Sequence, residues 1–206
     1  SPADGATGTV GATHSITLTP YNTRGRSYFD LNSPADIEAG DEAAYVVTRY
    51  DQYDNPIDAG DETVYLFTNA TGGDSEFRDT SGGADTASIV IADGTTNEDF
   101  WYYEETAGDW TVTASDDTPA DGATGIVDAT DDITVTADYT GGTAYFGLNS
   151  PADIEAGDEA AYVVTRYDQY DYPVDAGNET VSLSLHATRP ISEFRDTSGG
   201  ADTASI

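Results

Sequence analysis

Apolar and polar residues alternate with a period of two along most of this chain, and no stretch carries the stripe of an amphipathic helix. The alternation predicts strands at Ser27–Leu31, Glu42–Tyr50, Glu62–Thr68, Ser75–Asp79, Thr86–Ala92, Glu98–Glu104, Asp109–Ser115 and Asp131–Ala137. Between them lie clusters rich in Gly, Asp, Asn, Pro and Ser, such as DQYDNP, TSGGAD and ADGTTN. These residues favour turns because they supply left-handed conformations or cap their own backbone. Short strands at this spacing predict an all-β chain folded as an antiparallel sandwich with Greek-key connections.

Shifting the chain against itself exposes a repeat. SPADIEAGDEAAYVVTRYDQYD at Ser33–Asp54 recurs letter for letter at Ser150–Asp171, and SEFRDTSGGADTASI at Ser75–Ile89 recurs at Ser192–Ile206. PADGATG at Pro2–Gly8 recurs at Pro119–Gly125. The offset is 117 residues throughout, and about three-quarters of the overlapping positions are identical. That period is the length of a whole domain rather than of a solenoid unit. The expected organisation is therefore tandem sandwiches: 1–24 as the terminal strand of a preceding repeat, 25–140 as a complete repeat and 141–206 as a second, C-terminally incomplete one.

Comparing the copies assigns faces to one strand. Val64 and Leu66 are retained as Val181 and Leu183, and Thr68 becomes Leu185, whereas Tyr65 and Phe67 become Ser182 and Ser184. Val64, Leu66 and Thr68 should face the core, with Tyr65 and Phe67 on the outer face as a candidate contact surface. Ordinary cross-strand packing also accounts for the aromatic pair. Trp110, Val112 and Ala114, and Ile133, Val135 and Ala137, show the same alternation. The continuous run Phe100–Tyr103 predicts a central strand covered on both faces.

Charge narrows the partners. There are 39 acidic residues against 7 basic ones, all of them Arg, for a net charge of −32. Nucleic acid and anionic membranes would repel such a surface. No run of apolar residues is long enough to span a bilayer. The 22 aromatic residues argue for packed sheets rather than an acidic disordered chain. Cys and Lys are both absent, so neither disulfides nor Lys–Asn isopeptide bonds brace the fold. Packing, contacts between copies or bound cations must supply the stability.

The stretch YVVTRYDQYDNPIDAGDETVYL, followed downstream by TAGDWTVTAS, resembles bacterial immunoglobulin-like domains of the invasin and intimin type. That family has a strand, a D-x-x-G-N-P-V turn and the next strand, then a closing Gly turn and T-V-T-A strand. The resemblance covers about two-thirds of each repeat. This chain departs at Asp54, where the family usually has Gly, and at Tyr172, where the second copy loses the Asn. Asp tolerates the left-handed conformation that such a turn position needs. The resemblance implies tandem immunoglobulin-like β-sandwiches in a surface stalk, spacer or adhesin, and it implies no ligand.

Residues with chemistry are few. His14 and His186 sit opposite Asp131 and Asn69 in the other copy, so neither belongs to a repeated site. There is no Cys nucleophile, no G-x-S-x-G and no phosphate loop, and abundant acids make any close carboxylate pair uninformative. No enzyme is expected. Calcium is the one candidate cofactor, because clustered carboxylates and carbonyls suit a hard cation. Candidate ligands are Asp116, Asp117 and Asp121 near the handover between repeats, and Asp51, Asp54 and Asn55, with Asp168 and Asp171 as counterparts. A surface adapted to high salt explains the acidity equally well. Asn69 and Asn178 head N-x-T sequons and are candidate glycosylation sites.

These features predict a structural repeat of an extracellular or cell-surface filament, stalk or adhesin, with copies of itself or neighbouring repeats as partners. A carbohydrate- or receptor-binding module using Tyr65 and Phe67, and a surface-layer subunit, are the alternatives. The phase of the repeat predicts that these residues are a segment of a longer array. Polymerisation by strand donation is the competing expectation.

Overall fold

The computed structural model describes residues 14–19, 27–72, 75–122, 124–139, 144–185, 193–203 and 206. In the first copy the strands are β1 (Tyr28–Leu31), β2 (Ile37–Glu38), β3 (Glu42–Tyr50), β4 (Glu62–Thr68), β5 (Glu76–Arg78), β6 (Ser88–Ile91), β7 (Asn97–Tyr103), β8 (Gly108–Ser115) and β9 (Ala129–Thr136). In the second they are β10 (Tyr145–Leu148) and β11 (Val164–Tyr167). All eight predicted strands of the first copy form, and there is no helix among the described residues. His186 and most of 1–24 lie outside those residues, while 14–19 carry no strand and are exposed.

Two sheets make the first copy. One has the order β1-β3-β7-β5 and the other β2-β9-β8-β4-β6. The chain crosses between sheets at each step from β3 to β8 and closes with the β8–β9 hairpin, a Greek-key path. All ladders between named strands are antiparallel except β2 with β9, where Ile37 faces Val135 and Glu38 faces Thr136; an isolated bridge, Tyr28 to Val127, is also parallel. Inward residues from both sheets share one core: Phe29, Tyr45, Val47, Phe77, Phe100 and Tyr102 from the first, and Val64, Leu66, Ile89, Ile91, Val112 and Ile133 from the second. Two packed layers around one core are what half-apolar strands must build.

The predicted faces of β4 hold. Val64 and Leu66 are buried, and Thr68 turns inward to share a 3.1 Å hydrogen bond with the Tyr102 hydroxyl. Tyr65 and Phe67 lie on the other face but are half-buried rather than open, since β4 is flanked by β6 and β8. The aromatic run needs a correction. Phe100 and Tyr102 are buried, but Trp101 and Tyr103 on the outer face are only half-covered. Tyr103 has the Arg78 guanidinium 4.4 Å from its ring centre.

Several polar side chains are paired within the sandwich, and Arg49, Glu62 and Glu104 among them are buried. Arg49 donates to Glu62 at 3.0 Å and to the carbonyls of Ala59 and Gly60 at 2.8 and 3.0 Å. Glu104 is buried and accepts from Ser75 at 2.5 Å, Tyr102 at 2.9 Å and the Thr106 amide at 2.6 Å. Tyr45 donates to Asp131 at 3.0 Å, and Tyr28 donates to Asp54 at 2.9 Å.

These tyrosines resist ionisation. The bond to Asp54, then burial, push the Tyr28 phenol up from 10.0 to about 12. Burial, then the bond to Asp131, push Tyr45 up as well. A phenol raised in the folded state contributes stability that is complete below its unfolded value near 10 and is lost as pH rises through the folded value. Stability should therefore hold up to about pH 10 and fall between there and about pH 12. An alkaline titration followed by tyrosinate absorbance should show delayed, cooperative ionisation that coincides with loss of the sheet signal in circular dichroism.

The second copy keeps local features of the first. β10 pairs with β11 in the register of β1 with β3, Tyr145 opposite Tyr167 as Tyr28 is opposite Tyr50. Both tyrosine pairs stack at 5.4 Å. The Glu42–Arg78 ion pair, with Ser81 and the Gly82 amide on the same carboxylate, reappears as Glu159 with Arg195, Ser198 and Gly199.

Candidate functional site at the contact between the two copies

The DQYD turn after β3 is built around one carboxylate. Asp51 is buried, and its Oδ1 accepts from the amides of Tyr53 at 2.8 Å and Asn55 at 3.0 Å. The Asn55 side chain reaches both oxygens, at 3.2 and 3.1 Å. Asp54 takes the left-handed conformation, φ 65°, that the resemblance predicts where its family has Gly. With the turn held from inside, the Tyr53 ring projects outward and is 69% exposed.

The second copy forms the same turn with a changed donor. Asp168 Oδ1 accepts from the amides of Tyr170 at 2.9 Å and Tyr172 at 2.8 Å, and Asp171 is again left-handed at φ 70°. Tyr172 stands where Asn55 stands in the first copy and has no side-chain amide to offer. Asp168 Oδ2 accepts from the backbone N–H of Asp138, two residues beyond the end of β9, at 3.2 Å, which ties the connecting chain to the second copy's turn.

Tyr170 completes the contact. Its ring lies against Gly40 in the turn between β2 and β3, so that a β-carbon there would collide with the Tyr170 hydroxyl and stand 3.1 Å from Cζ. Gly40 is held at φ +90° and donates its N–H to the Glu104 carbonyl at 2.8 Å. Only Gly combines that conformation with so close a neighbour. The Tyr103 hydroxyl donates to Glu105 and also engages Tyr170; burial first, then these two bonds, push its phenol upward. Tyr170 is half-buried and Asp168 fully so.

The turn predicts its own sensitivity. Replacing Asp51 with Ala leaves two backbone amides and an Asn side chain without their acceptor. A loss of about 1–3 kcal/mol is expected, with Asp51→Asn recovering part of it, as read by urea unfolding.

The predicted cation ligands do not assemble. Asp51 is engaged inside its turn, and Asp54 faces Tyr28. Asp116 accepts from the Ile126 amide at 3.0 Å, Asp121 from the Thr124 amide at 3.1 Å, and the Asp117 amide donates to Ser115 at 3.1 Å. Among the described residues no three His, Asp or Glu side chains form a group fit to hold a metal ion. Asn69 accepts from the Thr111 amide at 2.7 Å, His14 is exposed, and Asn178 lies on the surface. Gly40, Asp138 and Tyr170 were not singled out by the sequence, and Tyr103 only as part of the aromatic run, although Gly40 and the Tyr53/Tyr170 position lie inside its longest identical block.

The strand order defines the class. β1-β3-β7-β5 facing β9-β8-β4 is the arrangement of an immunoglobulin-like β-sandwich. No protein-family model matches the chain, and no curated protein matches it. Among solved structures, the chain is similar to a CARDB domain from Pyrococcus furiosus in complex with di-metal ions, at 14% identity and TM-score 0.37, covering 58% of this chain and 100% of that one. A conjugative transposon lipoprotein from Bacteroides eggerthii matches at 10% identity and TM-score 0.32, covering 52% and 95%. The fold assignment rests on the strand order and not on these likenesses.

Proposed function

We propose that the chain is a structural repeat of an extracellular or cell-surface filament, stalk or adhesin, built of tandem immunoglobulin-like sandwiches that stack end to end. The observation that carries this reading is the seating of Tyr170 from the second copy on Gly40 and Tyr103 of the first. The contact is heterologous, because a turn of one copy meets a different surface of its sequence equivalent. Heterologous contacts between like units propagate into open arrays unless the rotation closes a ring. The strong negative charge suits a solvated surface that does not bundle through nonspecific attraction.

Electron microscopy of the native assembly tests the reading. Thin unbranched fibres or stalks are expected. A two-dimensional lattice would favour the surface-layer alternative, and isolated globules would overturn end-to-end stacking.

A further inference from the structure

We infer that Tyr53 is a second docking plug, which seats on the Gly40–Tyr103 notch of another copy of this repeat as Tyr170 seats within this chain. The inference rests on the end-to-end reading and gives it a specific joint. Tyr53 and Tyr170 are 117-residue equivalents inside an identical block, on turns set by equivalent aspartates and equivalent left-handed residues. One ring is packed against a glycine, and the other is 69% exposed. The notch shows the converse pattern. Gly40 is filled by Tyr170, whereas its equivalent Gly157, at φ +104°, has nothing within 4 Å of an added β-carbon. The molecule thus presents one plug and one notch glycine in addition to the mated pair.

The occupant follows from this pairing. A large amphipathic ring on a rigid turn is matched by a glycine with no side chain and by a phenol that can bond the incoming hydroxyl. The same chain contains that seat, so the fitting surface is another copy of the repeat. Tethering makes the docking intramolecular, so a small contact suffices at the effective concentration a short connection provides. Asn55 holds the Asp51 turn from within through both carboxylate oxygens, which keeps the Tyr53 plug in shape.

An extended chain tests the inference: residues 1–117 followed by the full 206 residues continue the period, because residue 118 is equivalent to residue 1. With Tyr53→Phe in the added copy, nitration by tetranitromethane at Tyr53, read by mass spectrometry, reports only on the inner plug. Its nitration should slow by about tenfold relative to the 206-residue chain, the protection of a contact open about a tenth of the time. Gly40→Ala in the added copy should restore the faster rate. Tyr103→Phe there, which removes only a hydroxyl, should restore it in part and guards against misfolding of the glycine variant. Unslowed nitration overturns the plug, and slowing that both variants leave intact overturns the notch. Small-angle scattering on the same extended chain keeps the two readings apart. An elongated particle with unprotected Tyr53 leaves end-to-end stacking standing, and a compact one brings it down as well.

Discussion

Replacing Arg49 with Ala should lower the stability of the first-copy sandwich by about 3–5 kcal/mol. The guanidinium and the Glu62 carboxylate are both buried and 3.0 Å apart, and the same guanidinium satisfies the carbonyls of Ala59 and Gly60. Truncation removes the 3.0 Å ion-pair partner of the buried Glu62 carboxylate, while the Ala59 and Gly60 carbonyls, on exposed residues, can turn to water. The loss comes mainly from the charge left buried rather than from the attraction of the pair itself. A double replacement, Arg49→Met with Glu62→Leu, should therefore cost much less than the single one. Arg166→Ala is the internal control: its partner Glu179 is 4.0 Å away and 57% exposed, so the change in that ion pair should stay within about 1 kcal/mol. Urea unfolding of the three variants checks the order, and an Arg49→Ala loss below that of Arg166→Ala would refute it.

The second large effect is expected at Phe100. It stacks on Tyr45 at 5.2 Å and meets Phe77 edge-on at 6.0 Å, in the middle of the shared core. Phe100→Ala removes a whole ring from an interior that both sheets enclose, and about 3–5 kcal/mol should be lost. Val90→Ala on the outer face of β6, where the side chain is half exposed, should change stability by no more than about 0.5 kcal/mol. Thermal unfolding distinguishes them directly.

Much of the fold was legible because period-two alternation is a direct record of which face each side chain meets. It placed all eight longer strands of the first copy, and the copy comparison separated Val64 and Leu66 from Tyr65 and Phe67. β2 escaped because two residues, Ile37 and Glu38, show no alternation; they form a strand only through the parallel ladder to β9. The second copy gives the clearest lesson. EAAYVVTRY is one nine-residue strand at Glu42–Tyr50, yet its identical twin is a strand only at Val164–Tyr167. In the first copy β7 pairs with Glu42–Thr48, while β1 pairs with Val47–Tyr50. The 206 residues include an equivalent of β1 but none of β7, and the strand persists only where its partner does. Tyr45 is accordingly buried, and the identical Tyr162 is 58% exposed. Strand propensity belongs to a residue, but a strand belongs to a pair.

The site was legible only in part. The sequence singled out the DQYD turn and the left-handed role of Asp54, and it marked Tyr172 as the departure in the second copy. It did not reveal the donor found opposite Asp168, because a backbone N–H is present at every non-proline residue and leaves no signature. It also pointed to cation binding, and among the described residues Asp51, Asp54, Asp116 and Asp121 are found accepting hydrogen bonds from protein groups rather than gathered around one point. An acidic cluster in sequence states which groups are near one another, not what they face.

The parallel contacts between the segments that open and close the first copy have a mechanical consequence. β2 is hydrogen-bonded to β9, and Val127, before β9, bridges the start of β1, accepting from the Phe29 amide at 3.0 Å and donating to the Ser27 carbonyl at 2.9 Å. Tension applied along the chain enters this sandwich through one member of each pair and leaves through the other. Because the strands run parallel, pulling their outer ends slides one along the other and loads the bridging bonds together, in shear. Antiparallel neighbours pulled from adjacent ends would peel apart one bond at a time. A unit wired in this way is expected to yield under force in one step once the load exceeds the strength of those bonds.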